Sequence, residues 1–311
     1  MKLKDNLLAA VGFALFNALM LSAMSLFAKL LREYFGAFEV TFFRNVFSLI
    51  ALLILLVLTR KLDILKTDRP RAHLLRSFIG TVGIVLGAQA LGMMPLAETT
   101  ILLFTSPLFV VLLSWPLLGE RVGVYRMSAV LVGFLGVVIM ANPGQGTEPL
   151  PLAGILIGLG WGLSAGLVDI CLRWIGRTES STTTTFYFVL FGTIACGMHW
   201  PFAEVKEGSF SLYTAFVIAG LGATGLLSLL AKSQSFRLGE AANVAPVMYT
   251  MIIWAMVFDY LVWDKAPSAN VFIGAAIIIG SNLFILYREI KIKNRLNKKS
   301  DKSLELATRE N

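Results

Sequence analysis

The 311-residue chain is 57% hydrophobic and only 15% charged, with a mean hydropathy of +0.76. Its apolar residues come in long blocks that leave no room for a separate soluble catalytic or ligand-binding domain, the signature of a polytopic membrane protein. The net charge of +8 does not call for a nucleic-acid partner, because Arg288, Lys291, Lys293, Arg295, Lys298, Lys299, Lys302 and Arg309 form one basic tail of the kind that faces anionic lipid on the cytoplasmic side.

A hydrocarbon core needs about 20 apolar residues per helix. Counted that way, crossings are predicted at Leu7 to Leu31, Ala37 to Leu58, Ala72 to Gly92, Pro95 to Leu118, Val124 to Ala141, Leu152 to Trp174, Thr182 to Trp200, Tyr213 to Phe236, Glu240 to Val262 and Ser268 to Tyr287. The prediction is an all-α integral membrane protein of ten transmembrane helices, five in each half. Five is odd, so the second half enters the bilayer inverted. The first apolar segment is too long, and lacks the small-residue cleavage site, for a removable signal peptide. Cys171 and Cys196 each fall inside a predicted span, which supports neither a disulfide framework nor a thiolate metal site. No cofactor is expected.

Loop charges test this topology independently, since Lys and Arg concentrate on the cytoplasmic side. One set of loops carries Lys2, Lys4, Arg60, Lys61, Lys66, Arg69, Arg71, Arg76, Arg121, Arg126, Arg173, Arg177, Arg237 and the tail. The opposite set carries only Arg32, Lys206 and Lys265. Both termini are therefore placed inside. The chain divides into a first repeat over 1–141, a periplasmic link over 142–151 rich in helix breakers, a second repeat over 152–288, and a basic cytoplasmic tail over 289–311.

The halves resemble each other. The stretch from Gln89 to Met140 recurs as Gln234 to Phe284, with Gln89 on Gln234, Thr105 on Thr250, Glu120-Arg121 on Asp264-Lys265 and Gly136 on Gly280. An inverted duplication of this kind is the sequence mark of a transporter. Gly154, Gly158, Gly162 and Gly166 recur every fourth residue along one face of the sixth span, which lets a neighbouring backbone approach closely. Gly80, Gly83 and Gly87 do the same in the third.

Polar groups inside spans are costly and face a cavity or a partner. Lys29, Arg44, Glu98 and Asp259 gather toward the outside, and Asp169, Lys232, Glu240 and Tyr187 toward the inside. Asn17, Trp161, Tyr249 and Trp254 lie near mid-depth, with Thr105 and Thr250. Arg44 is too deep for easy snorkelling and needs a partner, for which Glu98 is the candidate; Asp169 and Lys232 make the corresponding inner pair. These pairs either staple helices or act as gates. Trp161 and Trp254 are core residues or stacking walls for a planar or cationic substrate. Gln89 and Gln234 are interhelical hydrogen-bonding groups first and substrate ligands second. Pro107 and Pro246 each free a backbone carbonyl toward a cavity. The only histidines, His73 and His199, sit at opposite faces, and no phosphate loop, nucleophile motif or metal spacing occurs. No enzyme is expected.

The run Ala90-Leu91-Gly92-Met93-Met94-Pro95-Leu96-Ala97-Glu98, then Ser106-Pro107-Leu108-Phe109, Leu118-Gly119-Glu120-Arg121 and Gly133-Phe134-Leu135-Gly136, resembles the EamA type of the drug/metabolite transporter superfamily across nearly the whole chain. The second half departs, with Trp263-Asp264-Lys265 in place of Gly-Glu-Arg. The resemblance implies a bacterial inner-membrane carrier of small metabolites with a central cavity. Phe38-Glu39-Val40-Thr41-Phe42-Phe43-Arg44 and Lys66 through Arg76 are similar to members that take up S-adenosylmethionine; other members export amino acids or drugs, or import vitamins such as riboflavin. The reading is therefore a secondary transporter of a small polar or aromatic metabolite, with an exporter or a channel-like pore as alternatives and a homodimer left open.

Overall fold

The computed structural model describes the backbone of residues 7–60, 65–119, 123–141, 149–175, 179–203, 205–238 and 244–309. Among these residues the chain forms eleven α-helices and almost no extended structure. They are α1 (Leu7–Leu31), α2 (Ala37–Leu58), α3 (Pro70–Leu91), α4 (Leu96–Leu103), α5 (Ser106–Leu118), α6 (Val124–Ala141), α7 (Leu152–Ile175), α8 (Ser181–Met198), α9 (Leu212–Leu238), α10 (Thr250–Trp263) and α11 (Ala269–Arg309). One isolated bridge, Phe35 to Val205, ties the α1–α2 turn to the α8–α9 loop.

Among the described residues nine helical segments are long and apolar enough to cross a membrane, with α4 and α5 counted together as one over Leu96–Leu117. The remaining predicted crossing, the seventh in chain order, is α8. It begins Ser-Thr-Thr-Thr-Thr, which dilutes its hydropathy, yet it packs along α2 and α3 like its neighbours. Large apolar side chains such as Leu58, Phe216 and Leu261 remain 77%, 70% and 70% exposed. A lipid solvent, not water, suits such a surface.

The fourth crossing is not the single helix the sequence predicts. It breaks at Phe104–Thr105, where Pro107 cannot donate to the preceding turn and Thr105 Oγ1 caps inward on the Leu102 carbonyl at 2.6 Å. In the second half a five-residue 3₁₀ turn, Ala245–Tyr249, carries Pro246 and leads into α10. Glu240, the predicted start of that crossing, lies outside the described residues. The last crossing also differs: α11 runs on past Tyr287 as one helix to Arg309.

Glycine positions decide which helices touch. The α7 stripe lies on α4 and α5: a side chain at Gly154 would meet Met94, at Gly158 Leu102, at Gly162 Thr105 and the Leu102 carbonyl, and at Gly166 the Ser106 carbonyl. Gly83 and Gly87 of α3 receive Ser164 and the Trp161 indole from the neighbouring face of α7. Gly136 and Gly274 lie against each other's carbonyls where α6 crosses α11. These approaches have no room for a Cβ and supply the van der Waals contact that replaces hydrophobic driving force in lipid.

Candidate functional site

Because the helices alternate in direction, the bundle has two chemically distinct ends. The upper end is where α1, α3, α8 and α10 finish, and the lower end is where they begin.

At the upper end the carboxylate of Asp259, near the end of α10, is 2% exposed and is gripped from three sides. Lys29 Nζ of α1 donates to Oδ1 at 3.1 Å. The Leu96 N–H donates to Oδ1 at 2.9 Å and the Ala97 N–H to Oδ2 at 2.7 Å, so Asp259 caps the free N–H groups at the start of α4. The Lys29 ammonium also lies 4.2 Å from the Trp263 ring centre. Glu98, one turn into α4, is buried beside this knot, and one of its carboxylate oxygens has no hydrogen-bond partner. Arg32 donates to Gln89 Oε1 at 2.8 Å, joining α1 to α3. Glu39 and His199 pair at 3.2 Å between α2 and the end of α8. Helices α1, α3, α4 and α10 are thus drawn together, and α8 is tied to α2.

The lower end is organised differently. His73 of α3 meets Glu179, just before α8, at 3.5 Å, and Thr67 Oγ1 donates to the same carboxylate at 2.8 Å. Tyr187 stacks on His73 and donates to the Leu65 carbonyl at 2.9 Å. These contacts fasten α3 to α8. Across the bundle Asp169 and Lys232 are both exposed and lie within electrostatic reach, with no bond between them. Asp169 instead lines a cavity of about 510 Å³ together with Arg173 of α7, Val110 of α5, Tyr249 and Asn282. That is within the size range of small-molecule sites, roughly 300–1,000 Å³.

Between the two ends lies a polar middle. Asn17 of α1 donates to the Met248 sulfur at 3.2 Å and accepts from Ser228 Oγ of α9 at 2.7 Å. Asn282 of α11 donates to the Phe104 carbonyl at 2.7 Å, the group set free by the α4–α5 break. Tyr249 packs against the Phe104 ring with centroids 4.9 Å apart.

Of the residues singled out in the sequence, Lys29 and Asp259 meet, with Glu98 beside them. Arg44 is not bonded to Glu98. Arg44 lies instead within reach of Arg76 of α3, because its face of α2 turns toward α3 and not toward the upper knot. Trp161 seats on Gly87 and Tyr187 staples α3 to α8, while Gln89 holds Arg32. Gln234 and Trp254 are half-buried on α9 and α10. Sequence reasoning did not single out Asn282, and it named Glu39 and Arg76 only within longer runs, not as site residues. Arg76 counts with the loop charges in the sequence, yet it is only 9% exposed; its place in the second turn of α3, inside the predicted crossing Ala72 to Gly92, was the available signal.

A membrane bundle of this kind, with polar groups held at mid-depth between two differently tied ends, has the form of a carrier, and likeness to bacterial transporters makes it a secondary transporter of small metabolites, a multi-pass protein of the bacterial inner membrane. The chain belongs to the EamA-like transporter family, whose profile matches it twice, over residues 8–142 and 152–287. It is 30% identical over 293 residues to the S-adenosylmethionine uptake transporter of Rickettsia conorii, covering 93% of this chain and 96% of that protein. It is 31% identical to the same-named protein of Rickettsia prowazekii, covering 85% and 87%. Identity to the riboflavin transporter of Rhizobium johnstonii is 29%, over 73% of this chain and 74% of that one. A solved crystal structure superposes with a TM-score of 0.60 at 18% identity, over 90% of this chain and 98% of that one, a likeness of fold.

Proposed function

We propose that the protein takes up S-adenosylmethionine, or a close relative of it, by alternating access. The observation that carries this reading is the lower cavity: Asp169 offers a counter-charge to a sulfonium or ammonium group, and Tyr249 an aromatic face beside it. Likeness to the Rickettsia transporters over 85–93% of the chain supports it. In this reading ten helices cross the membrane with both termini in the cytoplasm, as two inverted repeats over 1–141 and 152–288 joined by 142–151, with 289–311 as a cytoplasmic tail. The lower end then faces the cytoplasm. The knot of Lys29, Asp259 and the α4 start closes the periplasmic side, Asp169 and Lys232 stand apart on the open cytoplasmic side, and their approach would close it. The chemistry is translocation, with no covalent step.

The test is uptake of radiolabelled S-adenosylmethionine into right-side-out vesicles. Saturable uptake in the wild type, reduced at least tenfold in Asp169→Asn, is the expected result. Saturable uptake of riboflavin alone would move the reading to the vitamin class, and non-saturating flux would favour a pore.

A further inference from the structure

The upper knot, the lower cavity and the two histidine–glutamate pairs leave one polar region unused. It lies where α2, α3 and α8 pack together. Arg44 and Asn45 reach into it from α2, and Arg76, Ser77 and Thr81 from α3. Asn45 and Thr81 converge over Gly192 of α8, whose missing side chain leaves space for them. Arg76 lays its guanidinium 4.1 Å from the Phe188 ring centre, with Nη1 3.6 Å from where a side chain at Gly80 would begin.

Every one of these five side chains has a buried polar atom without a hydrogen-bond partner: Arg44 Nη1, both amide atoms of Asn45, Arg76 Nε and Nη1, Ser77 Oγ and Thr81 Oγ1. Asn45 and Ser77 are each 1% exposed, Thr81 6% and Arg76 9%. Two guanidinium groups within electrostatic reach of each other, Arg76 buried and Arg44 half-buried, repel and carry a desolvation cost that a bonded anion offsets. In the membrane interior such charges persist where they have a partner or a function. Among the described residues no carboxylate lies within hydrogen-bond distance of either one; Asp169 is only within electrostatic reach of Arg76. Guanidinium groups bind carboxylates through paired N–H donors, and the flanking amide and hydroxyls add neutral ones.

We propose that Arg44 and Arg76, with Asn45, Ser77 and Thr81, form an anion subsite that holds the carboxylate of the transported metabolite. Asp169, within electrostatic reach of Arg76 and on the cavity wall, supplies the opposite charge. The two together select an amino-acid-like zwitterion: carboxylate on the arginine pair, cationic group at the acid. This rests on the uptake reading and narrows it, because S-adenosylmethionine carries a carboxylate and riboflavin does not.

The experiment uses the purified full-length chain in nanodiscs and reads two ratios. The first is affinity for S-adenosylmethionine over its decarboxylated form; the second is thermal stabilisation by acetate over acetamide. Charge-assisted bonds to a buried carboxylate correspond to about ten- to a hundredfold in affinity, so the wild type should prefer the carboxylated ligand by that margin. Arg44→Gln and Arg76→Gln should bring the ratio to near one. Arg44→Lys and Arg76→Lys, which keep the charge if the Gln variants fail to fold, should retain part of it. Each ratio is taken within one variant, so a general loss of folded protein cancels. Arginine-dependent discrimination in either series supports the subsite. Its absence in both overturns the subsite, and leaves the uptake reading standing if both adenosyl ligands still bind. No binding of either adenosyl compound, with acetate still discriminated, sinks the uptake reading and keeps the anion site. Arginine-dependent loss of co-purified anionic phospholipid without discrimination in either series would assign the pair to a lipid phosphate and overturn the proposal.

Discussion

Asp259→Asn tests the proposal that the Lys29–Asp259 knot holds the upper end shut. The wild-type carboxylate accepts from Lys29 and from two backbone N–H groups of α4, and the side chains of Lys29 and Asp259 are 13% and 3% exposed. Asparagine keeps one acceptor oxygen but removes the charge, so Lys29 is left buried opposite a neutral amide. Breaking a buried pair by removing one partner costs about 3–5 kcal/mol. At about 1.4 kcal/mol per factor of ten, that is roughly a hundred- to several-thousandfold in the ratio of closed to open upper end, enough to reverse a strongly biased equilibrium. The assay is a spin-label distance between Glu33→Cys and Ala266→Cys, both exposed positions beside the knot, with Cys171 and Cys196 replaced by Ala. A single short distance in the parent should give way to a dominant longer one in Asp259→Asn. Lys29→Gln added to that variant should restore part of the short population, because no unpaired charge then remains. An unchanged distance in a folded Asp259→Asn protein would refute the assignment of this knot as the closing element.

Gly87→Leu should lower stability by at least about 1–3 kcal/mol, the usual range for overpacking, because a Cβ there would lie 2.6 Å from the Trp161 indole. Trp161→Ala in the same chain should recover part of the loss, read by thermal unfolding in detergent. Asn282→Ala removes the donor to the Phe104 carbonyl at 2.7 Å and should cost about 0.6–1.5 kcal/mol, seen as a lower melting temperature. Tyr187→Phe deletes the bond to the Leu65 carbonyl, worth about 1 kcal/mol. It should lower the melting temperature while leaving the KM for uptake unchanged; a raised KM would place Tyr187 at the substrate.

The run of crossings was legible because a helix in lipid must be both apolar and of fixed length, so blocks of Leu, Val and Ile marked their own ends. Glycine spacing was equally legible: Gly154, Gly158, Gly162 and Gly166 can face only one neighbour, and a helix lies on them. Partners were harder to read. Depth along a span places Arg44 and Glu98 at similar levels, but which residues meet depends on the direction each helix face turns. That direction is set by packing against several other helices, and a difference of one residue rotates a side chain by about 100°. Asp259 was placed at the correct level for Lys29, yet its main partners are backbone N–H groups, which carry no mark in a sequence.

The same reasoning separates the upper end from the middle of the bundle. The first half supplies a helix start at Leu96 whose free N–H groups face the end of α10, and Asp259 satisfies them. In the middle of the bundle the 3₁₀ turn Ala245–Tyr249 leads into α10, and its Met248 sulfur receives Asn17 of α1. A thioether is a weak, neutral acceptor, whereas a carboxylate capping two N–H groups and an ammonium is a strong one. The upper end is thus held by a charged latch and the middle by a soft contact. In the proposed uptake cycle the carrier rests with its upper end shut, and the substrate must contribute enough at Asp169 and Lys232 to offset the loss of the latch at Asp259.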